Sequence, residues 1–316
     1  MIRFILLLLF TLISFFTGNS QETSLLLKQE IIPFSKIKHY EKFLSRFPEI
    51  EAVNSYNITY LSDGLKVKGV LVLPKKEGQY PTIIYNRGGN GDTGAISPKA
   101  IPFLGLAKIA SKGYVVIASQ YRGNMGGEGK EEFGGQDVND VLNLLNVIKE
   151  IKQADTTNVG MYGWSRGGMM TYIALTKTNR IKAAVVGGAV SNNFETITDR
   201  PIMEEKVLAE LIPEYSKHKE TELKKRSATF WAHAFPKDTP LLIMHGTSDW
   251  RVKPSQSLQL AVELDKHRKP YRLIMFEGGD HGIRNNRKEV SEQVIQWFDR
   301  FLKQGEKVPN MEFHGK

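Results

Sequence analysis

Short apolar segments alternate with helix-like segments along most of this 316-residue chain. Continuous apolar runs, which are typical of strands buried on both faces of a sheet, occur at 82–85, 114–118, 159–162, 183–186, 241–244 and 271–276. Between these runs, apolar residues recur at the spacing of amphipathic helices. This alternation predicts an α/β fold in which a doubly wound, mostly parallel sheet is covered by helices on both faces.

Three parts of the chain depart from this alternation. Residues 21–50 are predicted to form a leading helical segment before the main domain at 51–316, because four apolar side chains recur there at helical spacing: Ile37, Tyr40, Leu44 and Phe47. Residues 55–73 alternate apolar and polar side chains around an Asp-Gly turn, which indicates a β-hairpin. Residues 191–236 are polar and punctuated by prolines, and we interpret them as a helical lid inserted into the domain.

Residues 1–20 are typical of a secretory signal peptide. Arg3 precedes an uncharged apolar run over 4–16, and the small residues Gly18 and Ser20 follow. The run is shorter than the ~20 apolar residues that a spanning helix needs, although an uncleaved membrane anchor is an alternative. We therefore expect an exported protein, periplasmic or secreted, without membrane association after cleavage. The sequence has no cysteine, which excludes disulfides and a thiol nucleophile.

The segment 163–168, Gly-Trp-Ser-Arg-Gly-Gly, lies between a predicted strand and a predicted helix. A G-x-S-x-G sequence in this context forms a sharp turn that projects the serine hydroxyl at the carboxyl end of the strand. Ser165 is therefore the predicted nucleophile. The backbone N–H of Arg166, at the start of the helix, points to the same spot and suits a developing oxyanion. A glycine-rich strand–helix turn without chemistry is the alternative interpretation.

A serine nucleophile needs a base to accept its proton and an acid to orient that base. Asp249 and His281 supply these groups, since each directly follows one of the last two predicted strands, in the order Ser, Asp, His that such a fold requires. Among the seven histidines, His245 is an alternative base, although its place in the turn favours a local backbone hydrogen bond. Asp280 is an alternative acid, but it is adjacent to His281 and poorly placed to orient that ring.

With these motifs in place, residues 55–305 resemble the α/β-hydrolase superfamily and, more closely, the catalytic domain of the prolyl oligopeptidase family of serine peptidases. The motifs that carry the resemblance are the nucleophile segment 163–168, Tyr121-Arg122-Gly123 with the glycine-rich 126–135, Asp137 with Asp140, His245-Gly246 with Asp249, Arg251 and Val252, and Asp280-His281-Gly282. The resemblance implies an α/β-hydrolase fold with Ser165 as nucleophile, Asp249 as orienting acid and His281 as general base. It also implies two oxyanion donors, which are the N–H of Arg166 and a backbone N–H of Gly88 or Gly89.

Two features of the sequence differ from this family. Its peptidases usually carry an N-terminal β-propeller, and only about 50 residues precede the hydrolase domain here, fewer than two blades of about 40–45 residues each. The loop after the first apolar run is Arg87-Gly88-Gly89-Asn90 rather than His-Gly-Gly-Pro or a loop with a tyrosine. Both departures count against a peptidase more than against a serine hydrolase. The resemblance still implies a serine hydrolase, without a propeller, that acts on peptide bonds. A carboxylesterase for acylated saccharides or other carboxylic esters is the alternative, and a non-catalytic binding protein is a third hypothesis.

The expected substrate is a small molecule or a peptide. Trp164, Tyr121 and Trp250 lie in or beside the loops at the catalytic edge and are the candidate residues of an aromatic pocket. The sequence shows neither metal-ligand spacing nor a nucleotide-binding glycine motif, so we expect no metal and no cofactor. The net charge of +9 comes from basic residues interleaved with acidic ones, which does not favour nucleic acid as a partner. The sequence does not predict the oligomeric state.

Overall fold

A nine-stranded sheet forms the centre of the protein in a computed structural model that describes residues 24–314, so the predicted signal peptide at 1–20 lies outside the described residues. The strands are β1 Leu26–Ile31, β2 Val53–Ser62, β3 Leu65–Pro74, β4 Tyr80–Asn86, β5 Val115–Ser119, β6 Ala154–Trp164, β7 Ala183–Gly187, β8 Leu241–Gly246 and β9 Tyr271–Phe276. Their order is β1-β2-β3-β5-β4-β6-β7-β8-β9. The pairs β1–β2, β2–β3 and β3–β5 are antiparallel, and all pairs from β5 to β9 are parallel. The predicted mostly parallel α/β sheet is confirmed.

Helices cover both faces of this sheet. The α-helices are α1 Tyr40–Arg46, α2 Ala100–Phe103, α3 Leu106–Ser111, α4 Asp137–Val147, α5 Arg166–Leu175, α6 Asn193–Asp199, α7 Pro201–Met203, α8 Ala209–Leu211, α9 Tyr215–Lys225, α10 Ser255–Lys266 and α11 Arg287–Phe298. Single turns of π-helix lie at Glu204–Leu208 and Asp299–Lys303. Short 3-10 helices lie at Phe34–Lys36, Pro48–Ala52, Asp92–Gly94, Ile148–Glu150, Ala228–Phe230, Ala232–Ala234 and Arg284–Asn286.

The sheet separates two hydrophobic cores. Residues of α4, α5 and α10 pack in one core, and residues of α3 and α11 pack in the other. Neighbouring residues of a central strand point to opposite cores: Ile84 packs in the first, Ile83 in the second, and both are fully buried. Because both faces of the central strands are covered, these strands are continuously apolar in sequence.

The amino-terminal segment differs from its prediction. The sequence predicts a leading helical segment over 21–50, but the described part of this segment contains the strand β1 as well as the seven-residue helix α1. β1 pairs with β2 in an antiparallel register that runs from Leu26 opposite Tyr60 to Ile31 opposite Tyr56. Five of the six residues of β1 are exposed, so backbone pairing at the sheet edge stabilises it without apolar alternation. The predicted hairpin is confirmed by the pairing of β2 with β3.

The segment between β7 and β8 folds into helices α6 to α9. Buried residues of this insertion, such as Leu208 and Leu223, pack into the core that contains α5 and α10. The side-chain oxygen of Gln256 in α10 accepts hydrogen bonds from the backbone N–H groups of Ser191 and Asn192, both at 3.0 Å. The action of residues 191–236 as a lid stays a prediction. No helix in the part of the chain that the structure describes is long and apolar enough to cross a membrane.

Candidate active site

The predicted catalytic residues all lie at the carboxyl edge of the parallel strands. β5 and β6 lie on opposite sides of β4, so the connections diverge there and open a crevice, which is where open α/β sheets bind ligands. The predicted residues follow four strands: Gly88 and Gly89 follow β4, Ser165 follows β6, Asp249 follows β8 and His281 follows β9. The fold therefore brings segments that are far apart in sequence to one edge of the sheet.

Ser165 lies in a strained turn between β6 and α5. Its backbone has φ 58° and ψ −124°, and sparsely populated conformations of this kind cost about 1–3 kcal/mol in a non-glycine residue. The turn is closely packed: a Cβ added at Gly163 would lie 2.1 Å from the Gly167 carbonyl oxygen, and one at Gly167 would lie 1.9 Å from the Asn86 carbonyl oxygen. Both motif glycines are therefore required by backbone contacts, as expected of a nucleophile turn.

Asp249 and His281 contact each other directly. His281 Nδ1 and Asp249 Oδ2 are 2.7 Å apart. The other carboxylate oxygen, Oδ1, accepts the backbone N–H groups of Arg251 at 2.8 Å and Val252 at 3.1 Å. Burial opposes ionisation of this carboxyl, but hydrogen bonds from His245 and His281 outweigh the burial and hold the pKa of Asp249 well below its ordinary value. Asp249 therefore presents a charged oxygen to one ring nitrogen of His281.

His245 is a second histidine beside the same carboxylate. Its Nε2 lies 2.9 Å from the Val252 carbonyl oxygen and 3.2 Å from Asp249 Oδ2, and its Nδ1 lies 2.6 Å from Ser257 Oγ. The expected local backbone hydrogen bond is therefore present. The sequence does not predict the contact with Asp249, because that contact depends on the direction of a buried ring. His245 is fully buried and contacts the site through the Asp249 carboxylate and the Val252 carbonyl oxygen.

The end of β7 lies between Ser165 and His281. The Ser165 backbone N–H donates to the Gly187 carbonyl oxygen at 2.9 Å, and a Cβ added at Gly188 would lie 3.3 Å from His281 Nδ1. Trp164 Nε1 donates to the His281 carbonyl oxygen at 2.9 Å, which links the nucleophile turn to the histidine loop. Among the described residues, the Ser165 hydroxyl makes no hydrogen bond to the imidazole, a contact that tightens in many hydrolases only when substrate binds.

The loop after β4 packs against the nucleophile turn. A Cβ added at Gly88 would lie 3.2 Å from Ser165 Cβ and 3.8 Å from Ser165 Oγ, so a glycine suits this close approach. Gly89 has φ +69° and faces Gly94 instead. Arg166 is the first residue of α5, and its backbone N–H therefore has no intrahelical acceptor. The predicted oxyanion donors accordingly lie in two segments that border the Ser165 hydroxyl.

The Arg166 side chain is buried in a charged cluster beside this loop. Its guanidinium lies 2.6 Å from Asp137 and 3.0 Å from Glu131, and it donates to the Gly89 carbonyl oxygen at 3.0 Å. Burial disfavours the charged form, but Asp137 and Glu131 outweigh the burial and hold the pKa of Arg166 above its ordinary value. The motif therefore contributes more than a backbone donor, because its arginine joins the nucleophile turn to the loop after β4.

Tyr121 does not line a substrate pocket, contrary to its prediction from sequence. Its side chain is fully buried, and its hydroxyl donates to the Arg87 carbonyl oxygen at 2.9 Å. The guanidinium carbons of Arg87 and Arg166 lie 4.8 Å and 4.9 Å from the centre of its ring. The Arg87 side chain is also buried and donates to the Gln120 carbonyl oxygen. Tyr121 is therefore part of the packing that supports the loop after β4.

Comparison with known proteins agrees with this geometry. Residues 104–305 match the profile of the prolyl oligopeptidase family. The chain belongs to this family. It is therefore a serine-type peptidase, and the family and enzyme class that the motifs predict are confirmed.

Relatives within the family differ in length. The uncharacterized peptidase YtmA of Bacillus subtilis is 31% identical over 256 residues, which cover 80% of this chain and 96% of YtmA. Dipeptidyl-peptidase 5 of Porphyromonas gingivalis is 26% identical over 77% of this chain but 37% of its own length. The uncomplexed acylaminoacyl peptidase of Pyrococcus horikoshii superposes with a TM-score of 0.70 at 24% identity, over 88% of this chain and 45% of that one. This last likeness concerns the fold alone.

The charged cluster predicts a large effect on stability for Glu131→Gln. The Glu131 carboxylate accepts hydrogen bonds from the Arg166 side chain and the Gly91 backbone N–H. Burial alone would raise the pKa of Glu131, but the positive charge of Arg166 outweighs this effect and the pKa is lowered. The variant leaves the two buried guanidinium groups of Arg166 and Arg87 with less compensating charge, which should cost about 3–5 kcal/mol in the free energy of unfolding, measured by urea denaturation at neutral pH.

The stability that Glu131 contributes should depend on pH in a defined direction. The pKa of Glu131 is lower in the folded protein than in the unfolded chain. Its contribution to the free energy of unfolding is therefore complete at pH values above the ordinary pKa of a glutamate, and it is lost as the pH falls through the lowered pKa of the folded state. The difference between wild type and Glu131→Gln should therefore shrink in acid. Glu128→Gln is the matched control, since the Glu128 carboxylate is exposed and, within residues 24–314, accepts only from the Lys66 backbone N–H. Equal stability of the two variants at neutral pH would contradict the role of the cluster.

Two predicted pocket residues, Trp164 and Trp250, border a cavity of about 810 Å3 that also contacts His281. This volume lies within the usual range of small-molecule sites. The cavity, called the His281-side cavity below, is lined by residues of α3, by residues of α11 and by residues 46–49. The role of the two tryptophans in substrate binding stays a prediction. Within residues 24–314, no group of three or more His, Cys, Asp or Glu residues is placed to hold a metal ion.

Proposed function

We propose that this chain hydrolyses peptide bonds through an acyl-enzyme formed on Ser165. Ser165 Oγ attacks the scissile carbonyl carbon while His281 Nε2 accepts the hydroxyl proton. The imidazolium then gives this proton to the amine nitrogen as the C–N bond breaks. Water, deprotonated by the same imidazole, attacks the acyl-enzyme, and the acid leaves as Ser165 regains its proton. Asp249 orients the ring and stabilises its charged form.

The oxyanion of each tetrahedral intermediate is proposed to bind two backbone N–H groups. One belongs to Arg166, and the other belongs to Gly88 or Gly89. The close contact of Gly88 with Ser165 supports this assignment, as does the hydrogen bond from the Arg166 side chain to the Gly89 carbonyl oxygen. Donors that are fixed by buried contacts need no reorganisation as charge develops, which is the main source of electrostatic stabilisation in such sites.

The 2.7 Å contact between His281 Nδ1 and Asp249 Oδ2 is the observation that carries this proposal. An ionised carboxylate only accepts hydrogen bonds, so Nδ1 bears the proton in this contact. Nε2 is then the proton acceptor that a serine nucleophile requires. The strained backbone of Ser165 adds support, because strain of this kind clusters at active sites.

A fluorophosphonate probe tests the nucleophile directly. Wild type should be labelled at Ser165, as located by mass spectrometry, and Ser165→Ala should not be labelled. Ser216→Ala is the matched control, since Ser216 is an exposed serine on α9, and it should be labelled like wild type. An unlabelled wild type, or a label on another serine, would overturn the proposed nucleophile.

A substrate panel separates peptide hydrolysis from ester hydrolysis. Aminoacyl- and prolyl-nitroanilides report amide cleavage, and p-nitrophenyl esters report ester cleavage. We expect turnover of both classes, because an acyl-enzyme forms more readily from an activated ester than from an amide, and we expect both activities to disappear in Ser165→Ala. Turnover of esters alone would favour the carboxylesterase alternative.

A further inference from the structure

The His281-side cavity carries a large excess of positive charge. Its acidic lining residues are Glu49 and Asp280, and Asp280 Oδ2 is already paired with Arg284 Nε at 2.9 Å. Six further basic side chains line the cavity and form no ion pair within residues 24–314: Arg46, Lys108, Lys112, Arg251, Arg287 and Lys288. Unpaired cations around one cavity favour an anionic occupant.

Two guanidinium groups lie against the exposed Trp250. The guanidinium carbon of Arg251 lies 5.6 Å from the centre of the indole, and that of Arg200 lies 5.4 Å from it. Arg200 Nη1 donates to the Arg251 carbonyl oxygen at 3.2 Å, and neither side chain forms an ion pair in the described part of the chain. Because the Trp250 side chain is 67% exposed, this positive surface is open to a ligand that approaches Asp249 and His281.

The remainder of the cavity lining is largely apolar. Phe47, Phe103 and Trp164 contribute aromatic surface, and Val290 and Val294 of α11 contribute aliphatic surface. An occupant that is only charged would leave this surface in contact with water. The lining therefore suits a molecule that has both an apolar body and an anionic group.

The position of His281 relates the cavity to the reacting bond. In the proposed mechanism, His281 gives its proton to the leaving amine, so the part of the substrate beyond the scissile nitrogen lies on the side of this histidine. His281 and Trp164 line the cavity, and Ser165 does not. This lining supports an assignment of the cavity to the leaving-group side of the scissile bond.

We propose that the His281-side cavity binds the leaving-group part of the substrate and selects amines that end in a free carboxylate, that is, short peptides cleaved near their carboxyl terminus. This inference rests on the proposed function. A leaving dipeptide carries one carboxylate and apolar side chains, which complement the unpaired cations and the aromatic lining. The cavity thereby assigns a substrate class, short peptides with a free carboxyl terminus, to the serine-type peptidase.

Acyl transfer tests the leaving-group side without depending on the acyl specificity. p-Nitrophenyl acetate first acylates Ser165, and the dipeptide Ala-Phe is then added either as the free acid or as the C-terminal amide. The dipeptide amine attacks the acetyl-enzyme, His281 accepts the amine proton and returns it to Ser165 Oγ, and N-acetyl-dipeptide is released. The yield of N-acetyl-dipeptide relative to acetate measures capture of the amine. We expect the free acid to be captured about 10-fold better than the amide, and we expect 1 M NaCl to reduce this ratio.

Variants locate the charge that produces the preference. Lys108 on α3 and Lys288 on α11 line the cavity, and their side chains make no hydrogen bond to other described residues. Lys108→Gln/Lys288→Gln should lower the acid-to-amide ratio by about 5-fold, because two cations near one carboxylate are removed. Lys152→Gln is the matched control, since Lys152 is exposed before β6 at the opposite edge of the sheet, and it should keep the wild-type ratio. Because the acid-to-amide ratio is measured within each variant, a general change in activity affects both dipeptides equally and leaves the ratio unchanged.

The outcomes distinguish this inference from the proposed function. If the fluorophosphonate probe does not label Ser165, the proposed function fails. If wild type is labelled but captures the acid and the amide equally, or captures neither, the inference about the cavity fails alone. A wild-type preference that survives unchanged in Lys108→Gln/Lys288→Gln would also overturn it, because the selecting charge would then lie elsewhere.

Discussion

Replacing Asp249 with asparagine should lower kcat by about ten thousand-fold on any substrate that the chain turns over. Asp249 Oδ2 accepts from His281 Nδ1, and an asparagine amide at this position can instead donate to that nitrogen. The imidazole would then carry its proton on Nε2 and could not accept the proton of Ser165. Steady-state kinetics on the best nitroanilide or p-nitrophenyl ester gives the ratio, and circular dichroism checks that the variant is folded.

Asp280→Asn is the matched control for this prediction. Asp280 Oδ1 accepts the backbone N–H groups of Gly282 at 3.2 Å and Arg284 at 3.0 Å, and an asparagine oxygen can accept both. The ion pair that is lost is exposed and should be worth at most about 1 kcal/mol. We therefore expect kcat within a few-fold of wild type. A severe loss in Asp280→Asn with near-normal activity in Asp249→Asn would reverse the assignment of the orienting acid.

The core of this fold could be predicted from the sequence because its signals are local. Each central strand is a continuous apolar run since both of its faces are buried, and the hairpin of β2 and β3 has an Asp-Gly turn. The positions of Ser165, Asp249 and His281 are also local signals, because each directly follows a predicted strand. Once the sheet is mostly parallel, those strand ends share one edge.

Other features depend on contacts between distant segments and leave no local signal. β1 is mostly exposed and is stabilised by pairing with the edge of β2, so its sequence lacks the period of a buried strand. The partners of Arg166 are 29 and 35 residues away, and nothing in the motif shows that its guanidinium faces Asp137 and Glu131. Tyr121 is adjacent to the catalytic edge in sequence, but its ring points inward to Arg87. The sequence predicts where these residues lie along the chain, but it does not predict the direction in which their side chains point.

The buried contacts around Ser165 show why strain and packing belong together in this site. Three contacts hold the nucleophile turn: the Arg166 guanidinium donates to the Gly89 carbonyl oxygen, Gly88 packs against Ser165, and the Ser165 N–H donates to the Gly187 carbonyl oxygen. These contacts are made by backbone atoms or by a buried ion-paired side chain, and neither kind can yield easily. The unfavourable φ of Ser165 can persist only while they hold. A substitution that breaks one of these contacts should therefore lower the stability of the protein and the reactivity of Ser165 together.

Gly167→Ala should produce a large loss of stability. A Cβ at this position would lie 1.9 Å from the Asn86 carbonyl oxygen and 2.8 Å from that of Arg87, and both are backbone atoms at the end of β4. Asn86 is paired with Gly163 in the centre of the sheet, so β4 cannot move away without breaking the β4–β6 ladder. In an unhindered helix this change would stabilise by about 1 kcal/mol, so a loss here isolates the clash.

We expect Gly167→Ala to lower the free energy of unfolding by about 4 kcal/mol or more and the Tm by about 10 °C, measured by scanning calorimetry or thermal circular dichroism. Labelling by the fluorophosphonate probe should be lost in the same variant, because the helix start that fixes Ser165 is displaced. Gly282→Ala is the control: its added Cβ would have its nearest contact at 3.4 Å, with the flexible Arg284 side chain. This control should keep the wild-type Tm, whereas a wild-type Tm in Gly167→Ala would show that the turn and β4 are not in the close backbone contact described here.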